Sequence, residues 1–133
     1  MAYRVPNINP LDVGQQVAIG VPIPFNNPQV FSQTYTTSDQ IKSNLINFIL
    51  TARGERPLNP TFGTTIRQYL FENINSTTIQ NLENTLREEL TTNFPTVTIV
   101  NITFTPQYDT NAIDITINYY LLGGNPNTLN ITI

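Results

Sequence analysis

An α+β fold is predicted, with helices packed on a small antiparallel β-sheet and a Pro-rich extended arm ahead of them. Three observations carry this. Five of the ten prolines fall within residues 1–30. Apolar residues then recur at helical spacing between Ile41 and Leu90, and from Thr96 to the last residue their period changes to two. At 133 residues one core suffices. We therefore divide the chain into an arm over residues 1–34 and a single α+β domain over residues 35–133.

In the arm, Pro6, Pro10, Pro22, Pro24 and Pro28 each remove a backbone donor and bias the preceding residue toward extended geometry. Ile19, Val21, Ile23 and Phe25 alternate there at period two, which predicts an edge strand or an arm lying on another surface. Ser38 is the expected cap of a first helix over 39–52, with Asp39 in its first turn and Ile41, Leu45, Phe48 and Ile49 on one face. Arg53 and Gly54 supply its stop. Residues 54–63 form a compact turn, stiffened by Pro57 and Pro60. Thr64 or Thr65 then caps a short helix running through Ile66, Tyr69, Leu70 and Phe71. Ser76 or Thr77 opens a third helix that ends before Pro95. Its inner face is Ile79, Leu82, Leu86 and Leu90, and Glu83 sits four residues before Arg87. Val100, Ile102 and Phe104 have opposite parity to Val97 and Ile99, which predicts a bulge near Ile99 and Val100 or two partly covered faces. Ile113, Ile115, Ile117, Tyr119 and Leu121 pair with that strand in a hairpin, and Leu129, Ile131 and Ile133 begin a third strand.

Composition narrows the chemistry. Without His or Cys, the chain lacks the usual ligands for zinc, copper, haem or iron–sulfur groups, the Cys nucleophile and the Ser-His-acid triad. No metal and no cofactor is expected. Charged residues make up 11% against about 25% in an average protein, while Thr and Asn together account for 38 of the 133 residues. Lys42 is the single lysine, the five arginines are scattered and the net charge is -3. This argues against nucleic acid and against anionic membrane surfaces as partners. The start MAYRVPNINP has no apolar signal segment, so a soluble chain made without export is expected.

The remaining candidate sites are few. Gly123-Gly124-Asn125-Pro126 lacks the Lys and the following helix of a phosphate-binding loop. Asp109, Asn111 and Asp114 have no calcium-loop spacing and read as turn polarity. A glycoside hydrolase needs only carboxylates, and Glu55 stands in an organised turn. Glu72, Glu83, Glu88 and Glu89 read as solvated helix residues. Glu55 and Arg56 serve equally well as an internal brace of the turn or as a partner contact, with paired hydrogen bonds fixing the loop. The uncharged segment Leu129–Ile133 offers a strand edge to another chain, as do residues Ile19–Phe25.

The stretch from Ile49 to Gly63, followed by Ile66 and Leu70-Phe71-Glu72, resembles the baseplate wedge proteins of contractile phage tails, a family that includes a small subunit of type VI secretion baseplates. The motif positions here are Gly54, Glu55, Arg56, Pro60, Phe62 and Gly63. The resemblance, which covers roughly residues 35–122, implies a non-enzymatic structural component of the virion, made in the host cytoplasm and held in the tail baseplate. It implies wedge core proteins, the tail sheath protein and the tail tube as partners, with the sheath joining by exchange of extended arms. Many family members carry Glu-Pro-Arg where the long helix meets the first strand. This chain has Phe94-Pro95-Thr96, so the wedge contact carried over there is an apolar one through Phe94 and Pro95. Two other functions are open at this point: a peptidoglycan-cleaving tail lysozyme using Glu55, and a soluble protein-binding adaptor.

Overall fold

The computed structural model describes residues 18–23, 33–69, 71–72, 75–121 and 124–133. Helix α1 spans Thr37–Leu50, α2 spans Ile66–Tyr69 and α3 spans Ser76–Asn93. They are followed by β1 at Val97–Gln107, β2 at Ala112–Leu121 and β3 at Pro126–Thr132. The strands form one antiparallel sheet in the order β1-β2-β3.

Helix α1 starts two residues before the expected position, whereas α2 and α3 start where expected. The cap of α1 is Thr36, whose extended backbone leaves its hydroxyl free to accept the Asp39 N–H at 3.3 Å. The same hydroxyl donates to Asp39 Oδ2 at 2.6 Å, so cap and third helical residue hold each other. Ser38 lies inside the first turn instead. The helix ends at Leu50, ahead of Arg53 and Gly54, because Thr51 turns extended while its N–H and hydroxyl both return to the Asn47 carbonyl. Asn75 caps α3 by accepting the Thr78 N–H at 2.8 Å. The short α2 ends at Tyr69, before the expected Phe71, and neither Thr64 nor Thr65 caps it with its hydroxyl: the first donates to the Ile49 carbonyl and the second to Glu89.

In the sheet, the register shifts between Ile99 and Asn101, leaving Val100 as the extra residue of a bulge with its side chain exposed. Beyond that point Ile102 and Phe104 face inward with Ile113, Ile115, Ile117, Tyr119 and Leu129. Against this face pack Leu45, Phe48 and Ile49 of α1 and Leu82, Leu86 and Leu90 of α3, closing one core. The opposite face carries short polar side chains aligned across three strands, such as Thr103, Thr116 and Asn130.

Of the expected arm, residues 1–17 and 24–32 lie outside the described residues, Phe25 among them. Ala18–Ile23 is tied to the domain's own chain. Ile19 donates to the Thr34 carbonyl and Thr34 to the Gly20 carbonyl, each at 2.8 Å, and the Ile23 N–H reaches Ser43 Oγ at 3.1 Å. No helix among the described residues is long and apolar enough to cross a membrane.

Candidate functional site: the motif loop and the sheet edge

The loop after α1 is closed by backbone hydrogen bonds on both sides. Thr64 donates to the Thr51 carbonyl at 2.9 Å and Arg53 to the Thr64 carbonyl at 3.1 Å, and Gly54 donates to the Pro60 carbonyl at 2.9 Å. Gly63 has φ +115°, and a Cβ there would meet the Thr51 carbonyl oxygen at 2.6 Å, so backbone conformation and space both demand glycine. Gly54 has φ +86° with open space around it, and there conformation alone sets the residue.

Glu55 and Arg56 act differently from one another. The Glu55 carboxylate accepts the Ala52 N–H at 2.9 Å and so braces the turn. Arg56 lays its guanidinium 4.2 Å from the centre of the Phe62 ring, a cation–π contact of about 0.5–1 kcal/mol at an exposed position. Phe62 meets Phe48 edge-on at 5.1 Å, and Phe48 meets Phe94 edge-on at 5.4 Å. Phe94, the C-cap of α3, is therefore half-buried at the end of a column that starts at Arg56, while Pro95 is exposed.

Glu89 corrects the expectation of a solvated helix residue. It is 7% exposed, and its Oε1 accepts from Arg53 Nη2 and from the Thr65 hydroxyl, each at 3.1 Å. Its Oε2 is buried without a partner. The signal lay in the helix period, since Glu89 follows Leu82 by seven residues and Leu86 by three. Among the described residues no group of three or more acidic side chains could hold a metal ion.

At the other site, Leu129 is fully buried, and Ile131 and Ile133 pack partly buried on the core. Ile113 and Ile133 exchange both N–H to carbonyl bonds, at 2.9 and 3.0 Å. By the two-residue alternation of an antiparallel ladder, Leu129 and Ile131 also bond to β2, and Thr128, Asn130 and Thr132 aim their N–H and carbonyl groups away from it. These three residues form the hydrogen-bonding edge, and Leu129, Ile131 and Ile133 anchor it. β3 carries no charged residue along this edge. A groove of about 670 Å³ opens beside it, walled by Thr128, Leu129 and Asn130 on one side and by Gln33–Thr36 on the other. Ser43 and Ile46 of α1 also line it, with Asp39 and Lys42.

On the solvent face of the sheet, two hydrogen bonds to Asp114 link β2 to both of its neighbours. Asp114 Oδ1 accepts from the Thr132 hydroxyl at 2.5 Å and Oδ2 from Gln107 at 2.8 Å, and both lower the Asp114 pKa below 3.8, the Thr132 bond more strongly.

The model of the baseplate wedge protein gp25 family matches residues 36–126. A curated relative, the baseplate wedge protein gp25 of Enterobacteria phage T4, is 27% identical over 82 residues, and the match covers 62% of each chain. Among solved structures, a protein of Geobacter sulfurreducens named as a candidate tail lysozyme shares the fold with a TM-score of 0.68 and 26% identity, over 75% of this chain and 92% of that one. A chain of the anti-feeding prophage baseplate shares it with a TM-score of 0.63 and 21% identity, over 76% of this chain and 82% of that one.

Proposed function

The chain belongs to the baseplate wedge protein gp25 family, and on that premise we propose that it is a structural component of a contractile-tail baseplate, joining wedge proteins to the tail sheath and starting sheath assembly. The observation that supports this best is the β3 edge. It presents three outward N–H and carbonyl pairs, carries no charge and borders an open groove, which is the arrangement that accepts an extended strand from another chain. The incoming strand is an arm of the sheath protein. We take residues 35–133 as the docking domain and residues 1–34 as its arm, with the motif loop and Pro95 on the wedge side and the tail tube nearby. The virion baseplate is then its location.

Glu55 serves here as a brace. Its carboxylate accepts a backbone N–H, whereas a hydrolase would need it as a proton donor to a glycosidic oxygen. The lysozyme name of one structural relative is therefore not carried over to this chain.

The test is Asn130→Pro. Proline on an edge strand is tolerated where its missing N–H would have faced outward, so this change removes one outward donor and no bond to β2. The variant is expected to fold and to enter baseplates but to recruit sheath at least tenfold less well. Undiminished sheath recruitment by a folded Asn130→Pro chain would reject the strand-edge mechanism. Deleting residues 129–133 is a poorer test, because Leu129 is part of the core.

A further inference from the structure

We infer that residues 54–69 together with Phe71 and Glu72 form a second docking surface, separate from the β3 edge, for a wedge partner that presents carboxylates around an apolar side chain. This rests on the baseplate reading above for where the partner is sought, but not for the surface itself. The two most exposed large hydrophobic side chains among the described residues both lie on this unit: Leu58 is 100% exposed and Phe71 is 92% exposed. Leu58 sits within a loop whose backbone is closed by hydrogen bonds, so it is displayed on a fixed support.

The charges on the same unit point the same way. Among the described residues the ion pairs are Arg53–Glu89 and Glu83–Arg87. The remaining described arginines, Arg56 and Arg67, have no carboxylate, and both are exposed on this unit. Arg56 is held by its contact with Phe62, which occupies the face of the guanidinium and leaves the N–H groups on its edge without a hydrogen-bond partner. Of the two acids here, Glu55 accepts the Ala52 N–H and Glu72 forms no ion pair with either arginine. Two unpaired guanidiniums carried on the same short stretch of chain as an exposed Leu and an exposed Phe match the arginine and aromatic anchors that dominate protein interfaces. Their complement is an apolar side chain flanked by Asp or Glu.

The test uses the full chain and purified baseplate wedges assembled without it, with binding measured at low and moderate salt. Arg67→Glu and Phe71→Ser are each expected to weaken binding about tenfold or more, and salt is expected to weaken the wild type. Asn130→Pro should bind like wild type, because it alters only the other surface. Unchanged thermal melting of each variant shows that the fold is kept. Binding of Arg67→Glu and Phe71→Ser within twofold of wild type would overturn this surface alone. Failure of the wild type itself to bind would overturn the baseplate reading, and this surface with it.

Discussion

Glu89 joins three segments through one oxygen. Arg53 from the loop and Thr65 from the start of α2 both donate to its Oε1, and the carboxylate is buried while Arg53 is 47% exposed. Removing one partner of a buried pair costs about 3–5 kcal/mol, and the exposure of Arg53 reduces that figure. Arg53→Ala should therefore lower unfolding stability by about 1–3 kcal/mol, measured by urea denaturation. Glu89→Leu in the same background should recover most of the loss, because an apolar side chain of similar volume needs no partner there. Asp114 gives a prediction in pH. Its folded pKa lies below 3.8 because Thr132 and Gln107 donate to the ionised form. Its contribution to stability is therefore complete above the unfolded value and is lost as pH falls through the lower folded one. Denaturation followed from pH 6 to pH 2 should show that acid-side loss in the wild type and a smaller one in Asp114→Asn.

At the scale of elements, the periods were the legible part. Leu82, Leu86 and Leu90 face the core as a helical stripe predicts, and Ile113, Ile115 and Ile117 do so as an alternating strand predicts. Helix starts were less legible. Thr36-Thr37-Ser38 and Asn75-Ser76-Thr77 each offer several equivalent capping side chains. The choice falls on whichever residue has extended backbone and a reachable N–H three residues on, which for Thr36 is that of Asp39, whose carboxylate bonds back. On β3, the sequence identifies the apolar residues that anchor the strand. Its outward backbone groups belong to the intervening Thr128, Asn130 and Thr132, and that follows only once the exchange of bonds between Ile113 and Ile133 fixes the phase of the ladder. The Asn130→Pro prediction depends on this phase. Proline at Leu129 or Ile131 would instead remove a bond to β2 and destabilise the sheet, which far-UV circular dichroism during thermal melting would detect.

Across the whole molecule, the motif loop and the sheet edge come from different parts of the chain, and what sets each is a contact between distant residues. The groove beside β3 needs Gln33–Thr36 placed opposite Thr128–Asn130, a pairing that no local pattern encodes. The column from Arg56 through Phe62 and Phe48 to Phe94 likewise joins α1, the loop and the end of α3. The motif residues were visible in the sequence, with Glu55 among them as one candidate brace of the turn, but the contacts that set their roles were not: Gly63 makes room for the Thr51 carbonyl, Glu55 accepts the Ala52 N–H, and Phe62 supports Arg56. The proposed strand-accepting edge and the proposed loop surface would together suit a joint between two assemblies. The most direct test is to assemble contractile-tail particles with and without this chain, then image them and analyse isolated baseplates by mass spectrometry. The chain is expected in isolated baseplates and, in its absence, tails are expected to lack sheath. Full-length sheath on particles lacking the chain, or baseplates from wild-type particles that do not contain it, would rule out a role in starting the sheath.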